Sequence, residues 1–273
     1  MEPADLCAPV GERQEKVKQG MSLALKALSD MQRAMPSPGT SAMAPTIYES
    51  GEYLDNNPDW HAADAPFKAD WIVRLLDRNR IVPHHIVEIG TGSGEILVRL
   101  SERFREARFE GYDISSQAHA IADGRSTANL AFHHADYLLA DTERPDVLMA
   151  IDVFEHVEDY MGFLRAMRSR AAWKVLHIPL DLSVQGLLRG RGVMYSREVV
   201  GHLHYFFKDT ALATLRDCGY EVVDWFYTHG AESLPDRALR TRLFNFPRRI
   251  LRMVNEDFAV RLMGGASLMV LAR

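Results

Sequence analysis

Three glycines within five residues, Gly90-Thr91-Gly92-Ser93-Gly94, follow directly on a short apolar run that contains one acid, Glu88. Glycine tolerates φ > 0 and has no Cβ, so its backbone can approach a ligand closely. A dinucleotide-binding turn spaced G-x-G-x-x-G would need its last glycine where Glu95 stands. The spacing here is G-x-G-x-G, and a carboxylate just before it suits a cationic ligand better than a pyrophosphate. Three histidines, His156, His202 and His204, are candidate bases, because imidazole titrates near neutrality. His156 is preferred, since it stands just beyond an apolar run. The alternative for each is a hydrogen-bonded structural histidine.

These residues need elements to hold them. From Pro66 a helical pattern places Phe67, Trp71, Leu75 and Leu76 on one face and ends before Pro83. Residues 85–89 read as a strand, the glycine turn follows, and a helix restarts at Glu95. Strand, glycine turn and helix open a parallel βαβ unit. The alternation continues with strands expected at 108–114, 130–134, 146–151, 173–178, 220–227 and 266–272. Helices are expected at 160–170 and 208–218, with Ser115 as an N-cap and Gly219 as a left-handed stop. The run Val147-Leu148-Met149-Ala150 has the character of a central strand buried on both faces. The expected class is α/β: a doubly wound, seven-stranded, mostly parallel sheet. Two stretches, 181–207 and 230–265, exceed ordinary connections, and the first leaves the sheet at its ligand-binding edge.

Glu88-Ile89-Gly90-Thr91-Gly92-Ser93-Gly94 resembles the first motif of class I S-adenosylmethionine methyltransferases. Asp113, ending the second strand, matches the acid that in this family holds the cofactor's ribose hydroxyls. His134-Ala135-Asp136-Tyr137 ends the third strand, where the family often turns an acid toward the adenine amine. Asp152-Val153-Phe154-Glu155-His156-Val157 resembles the family's D-V-x-E-H-V element. Gly201-His202-Leu203-His204-Tyr205-Phe206 resembles a late element of the bacterial small-molecule branch. The resemblance implies a Rossmann-like methyltransferase fold whose last strand is antiparallel, with an insertion after strand five. It implies a site for S-adenosylmethionine, leaving as S-adenosylhomocysteine, at Glu88, Gly90, Gly92, Gly94, Asp113, Ile114, Asp136, Tyr137, Asp152 and Tyr48. The activity implied is methylation of an oxygen or nitrogen on a small-molecule acceptor. Asp152, Glu155 and His156 also resemble the metal element of ubiquinone-pathway O-methyltransferases, but a site without metal is the preferred reading, with Glu155 capping or pairing at a helix start. The alternative for Asp136 is a turn cap.

Residues 1–45 are expected to be a helical N-terminal appendage and linker, and 46–273 the domain that carries the resemblance. The segment 47–61, with Tyr48, Tyr53 and Trp60, resembles an N-terminal cover over the cofactor, or packs a leading helix onto the sheet. Arg237, Arg240, Arg242, Arg248, Arg249 and Arg252 interleave with apolar residues; a solvated helix face is preferred to a site for an acidic acceptor. Against 37 acidic residues stand 32 basic ones, a formal charge of -5, so no global field gathers nucleic acid or anionic lipid. Base-methylating enzymes would carry Asp/Asn-Pro-Pro-Tyr where this chain has Ile151-Asp152-Val153-Phe154. Cys7 and Cys218 have no metal or redox spacing. The first residues resemble no secretory signal and no apolar span reaches membrane length, so a cytoplasmic location is expected. The expected partner is a small-molecule acceptor, with no nucleic acid and no membrane; a homodimer is left open. The competing readings are a catalytically silent, methyltransferase-like accessory protein and an NAD(P) oxidoreductase.

Overall fold

The computed structural model describes residues 64–190, 192–229 and 251–273. The strands are β1 (His85–Ile89), β2 (Arg108–Asp113), β3 (Leu130–His134), β4 (Val147–Ile151), β5 (Trp173–Pro179), β6 (Val222–Thr228) and β7 (Ser267–Ala272). They form one sheet in the order β3-β2-β1-β4-β5-β7-β6. The first five run parallel, and β7 lies antiparallel between β5 and β6. The helices are α1 (Ala65–Arg78), α2 (Glu95–Arg103), α3 (Ser116–Asp123), α4 (Tyr160–Arg168), α5 (Val184–Arg189), α6 (Gly192–Tyr195), α7 (Lys208–Asp217) and α8 (Glu256–Met263). This is the doubly wound α/β class that the sequence predicts.

The period of two along each strand divides its side chains between two cores. Val87, Leu148, Ala150 and Leu176 pack with Leu164 and Met167 of α4 and Leu215 of α7. Ile86, Val147, Met149 and Val175 point the other way, onto Ile72, Leu75 and Leu76 of α1 and Leu97 and Leu100 of α2. Every residue of β4 is buried, as its unbroken apolar run requires. Each buried Leu or Ile contributes about 1.5–3 kcal/mol, so both helical layers are held firmly.

Local signals agree with the elements. The Ser115 side chain accepts from the Ala118 N–H at 3.3 Å and caps α3. Gly219, at φ 87°, ends α7, its N–H bonded to Arg216 O at 2.8 Å. Cys218 is a buried free thiol. The helix expected to reach residue 170 stops at Arg168. Arg170 instead donates to the carbonyls of Tyr137, Leu138 and Ala140. The sixth strand begins at Val222 rather than Tyr220, whose buried hydroxyl donates to Leu164 O at 2.6 Å.

The order reversal beside β1 decides where a ligand can sit. The chain leaves β1 toward β2 on one side, while β4 lies on the other. The loops after β1 and β4 therefore diverge and open a crevice at the carboxyl edge. Gly94, at φ 77°, ends the glycine turn as the N-cap of α2, and a Cβ there would lie 2.5 Å from Phe132 Cζ. Gly94→Ala combines that clash with a left-handed backbone and is expected to cost about 2 kcal/mol, read as a lower urea midpoint. An unchanged midpoint would mean the turn is not held as described.

The N-terminal segment with Tyr48, Tyr53 and Trp60, and the arginines from Arg237 to Arg249, lie outside the described residues. Among the described residues no helix is long and apolar enough to cross a membrane.

Candidate active site

The crevice is a cavity of about 1090 Å³. At one end lies the glycine turn. Gly90, Gly92 and Gly94 all have positive φ (69°, 55° and 77°), so the three glycines are needed for the path itself. The turn is tied to the end of β2. Asp113 is buried and accepts from Gly92 N–H at 2.9 Å through Oδ2 and from Ser115 N–H at 2.8 Å through Oδ1. A carboxylate has about four acceptor sites, so both oxygens keep capacity toward the cavity. Burial raises the Asp113 pKa, against the pull of those two amides. Beside it Ile114, 71% exposed, lines the cavity as an apolar platform next to two hydrogen-bond acceptors.

Glu88 forms part of the cavity wall behind the turn and is itself buried. Its Oε2 accepts from the Thr91 hydroxyl at 3.1 Å. Desolvation outweighs that bond and pushes its pKa up to about 8.

The floor is an ionic chain that sequence reading did not find. Asp152, directly after β4, has φ 56°, a left-handed backbone uncommon for a residue other than glycine. One carboxylate oxygen lies 2.8 Å from Lys68 Nζ of α1, and the other accepts from His177 Nδ1 of β5 at 2.6 Å. His177 Nε2 is in turn 2.8 Å from Thr228 Oγ1 of β6. Burial disfavours the Asp152 charge, but His177 and Lys68 outweigh it and hold the carboxyl well below its usual range. Burial works against the Lys68 ammonium too, and Asp152 more than compensates, leaving its pKa raised. Both signals are visible afterwards. Lys68 falls on the same stripe of α1 as the buried Ala65 and Ile72, and His177 stands between the apolar Leu176 and Ile178 of a largely buried strand.

The far end of the cavity is built by the insertion after β5. Asp181 accepts from the Ser196 hydroxyl at 2.8 Å and from His202 Nδ1 at 2.7 Å. His156 Nδ1 donates to Gly201 O at 3.1 Å, where Gly201 (φ 86°) ends the turn Ser196–Val200. The two imidazoles meet edge to face, with centroids 4.9 Å apart. Glu155 is fully buried beside them, 3.9 Å from His156 Nε2, and neither carboxylate oxygen has a hydrogen-bond partner. Burial first, then the Asp152 charge, raises its pKa well above the ordinary value.

Glu88, Gly90, Gly92, Asp113, Ile114, Asp152, His156 and His202 thus share one cavity. Among the described residues, Gly94 closes the turn without lining the cavity, and three further expected site residues do not face it. Tyr137 is buried in the core, against the Tyr112 ring and the Arg170 guanidinium. Asp136 caps a turn, accepting from Leu138 N–H at 2.9 Å. His204 packs on the Tyr160 ring and its Nε2 sits 3.0 and 3.1 Å from the carbonyls of Val157 and Glu158. In each of these three, local hydrogen bonds or packing engage the side chain away from the cavity lining.

The family model of a methyltransferase domain matches residues 60–224, more than half of the chain. The chain belongs to the methyltransferase-domain family. Its fold is that of the class I S-adenosylmethionine-dependent enzymes, and solved structures agree. Magnesium protoporphyrin IX methyltransferase from Synechocystis PCC 6803, with S-adenosylhomocysteine bound, is 15% identical, with TM-score 0.51 over 90% of this chain and 94% of that one. An S-adenosylmethionine-dependent methyltransferase from Geobacter sulfurreducens, also with S-adenosylhomocysteine, is 14% identical, with TM-score 0.52 over 74% and 89%. The [4+2]-cyclase SpnF is 16% identical, with TM-score 0.55 over 86% and 98%. At these identities the likeness is one of fold. No curated protein matches the methyltransferase by sequence.

Proposed function

We propose that this methyltransferase moves a methyl group from S-adenosylmethionine to an oxygen or nitrogen of a small-molecule acceptor. The observation that carries the reading is the continuity of the cavity. One continuous crevice runs from the glycine turn and Asp113 to His156 and His202. Its volume slightly exceeds the roughly 300–1,000 Å³ of ordinary small-molecule pockets, as a donor and an acceptor side by side require.

The residues present fit the donor. The free acceptor capacity of Asp113 suits a ribose diol, Ile114 offers an apolar face to a planar base, and Glu88 suits a cationic group. When bound, S-adenosylmethionine supplies an electrophilic methyl carbon on a sulfonium, so the protein need only align, desolvate and deprotonate. Asp152 and Lys68 fix the floor by pairing with each other. His156 and His202 stand at the acceptor end, where an acceptor proton must be taken up. A negative overall charge and the absence of a base-methylating motif support a small acceptor rather than a nucleic acid.

Calorimetry with S-adenosylmethionine and S-adenosylhomocysteine, followed by tritiated-methyl transfer to a panel of hydroxyl and amine acceptors, tests the proposal. Failure of both donor forms to bind would remove it.

A pH dependence follows from Glu88. The folded protein keeps this proton up to about pH 8, whereas the ordinary value is 4.5. A cationic ligand needs the carboxylate, so binding below that pH expels a proton. Affinity for S-adenosylhomocysteine is expected to rise by up to about tenfold per pH unit until roughly pH 8 and then level. In Glu88→Gln the slope should vanish. The sign is opposite for folding: the Glu88 contribution to stability is intact below 4.5 and is lost as pH rises through 8. Equal slopes in both proteins would exclude Glu88 from the ligand's charge.

A further inference from the structure

We infer that Glu155, His156 and His202 form a binding site for a divalent transition-metal ion at the acceptor end of the cavity. The inference rests on the methyltransferase reading for its role but not for its geometry. One ligand atom from each of the three residues lies within 4.8 Å of the others. Bonds of about 2.0–2.2 Å would bring them roughly 3–3.5 Å apart, a closing movement of about 1 Å or less per side chain.

Three features distinguish this cluster from a chance meeting of polar groups. First, both histidines have their other nitrogen engaged. His156 Nδ1 donates to the Gly201 carbonyl and His202 Nδ1 to the Asp181 carboxylate, and Asp181 is itself anchored by Ser196. Such bonds put the lone pair on Nε2 and orient the ring, the arrangement that metal-binding imidazoles use. Second, Glu155 has no exposed surface and neither of its oxygens has a hydrogen-bond partner. A buried carboxylate normally has partners, and a cation supplies one. Third, the backbone locks the cluster in place: Glu155 O accepts from Leu203 N–H at 2.8 Å and from His204 N–H at 3.1 Å, so the two ligand-bearing segments are stitched together.

The set differs from the one the motif suggested. Asp152 is committed to Lys68 and His177, and His202, arriving from 46 positions beyond His156, takes its place. Two imidazoles and one carboxylate suit zinc and its first-row neighbours, and three protein ligands leave positions open. With one negative ligand, a divalent ion keeps net positive charge. It would therefore favour an acceptor that presents a hydroxyl, by lowering that hydroxyl's pKa. With such an ion bound, the two imidazoles would serve as its ligands in place of the base role proposed above: the hydroxyl proton would leave to solvent, the oxygen lone pair would take the methyl carbon, and the electron pair of the broken C–S bond would stay on sulfur.

The test uses the full chain, stripped by chelator and dialysed. Titration with Co²⁺ should give visible d–d bands saturating at one ion per chain, and Zn²⁺ should displace them. His202→Ala and Glu155→Gln should each weaken Co²⁺ binding at least tenfold, and Asp181→Asn, which only loosens a ligand's orientation, roughly 10–100-fold. S-adenosylhomocysteine affinity, measured in parallel, should survive in His202→Ala and Asp181→Asn, showing that they are folded. No saturable Co²⁺ binding by the parent protein, or equal binding by His202→Ala, would overturn the site. Metal binding without any S-adenosylhomocysteine binding would leave the site standing and sink the methyltransferase reading instead.

Discussion

Asp113→Ala is expected to weaken S-adenosylhomocysteine binding by at least ~100-fold. The carboxylate holds the turn through Gly92 and Ser115 and offers its remaining acceptor capacity to the cavity. A hydrogen bond to a charged group contributes about 1.5–3 kcal/mol, and two such bonds to a diol would be lost together. At ~1.4 kcal/mol per factor of ten, the lower end of that range is already about a hundredfold. The two amides left without an acceptor add a second cost, felt even without ligand, so the melting temperature should also fall. Asp113→Asn keeps one carbonyl oxygen and should lie between parent and alanine variant. Calorimetry reads the affinities directly. An alanine variant that binds as tightly as the parent would mean the sugar site lies elsewhere.

The largest effect on stability is expected at Asp152. Asp152→Ala leaves the Lys68 ammonium in the crevice floor without its carboxylate and breaks the bond to His177. Lys68 and Asp152 are 18% and 24% exposed, so the loss falls near or below the lower end of the roughly 3–5 kcal/mol that breaking a fully buried pair costs. Alanine gives no relief at φ 56°, since its Cβ is as disfavoured there. Urea unfolding should therefore show a midpoint shift larger than that of any other single change described above. Lys68→Met in the Asp152→Ala background removes the orphaned charge and should restore much of the loss. A double variant no more stable than Asp152→Ala alone would show that the pair is not coupled.

What could be read from sequence was what is local. The glycine turn was legible because positive φ at three positions needs glycine at each of them. Asp113 was legible because it ends a strand that the alternation already located. The strands of the central sheet fell within a residue or two of their places, since unbroken apolar runs such as 147–150 leave little choice. Asp152 was named from its motif, but its partners in the ionic floor were illegible because they meet it only after folding: Lys68 comes from α1, Asp152 follows β4, and His177 and Thr228 lie on β5 and β6. Tyr137 was equally hard to place from sequence. Its place after β3 put it in the site by resemblance alone; Arg170, on a turn expected to be helical, bonds the local carbonyls and stacks on the buried ring. His202 and His204 are indistinguishable by type; only the carboxylate of Asp181 and the ring of Tyr160 tell them apart.

The position of β7 has a consequence for synthesis. Within the sheet β6 touches only β7, and β7 is the later of the two to leave the ribosome. A nascent chain can assemble β1 through β5 and their helices while β6 waits as an unpaired ribbon. Thr228, which reaches His177 from β6, can join the floor of the cavity only once translation has passed residue 272.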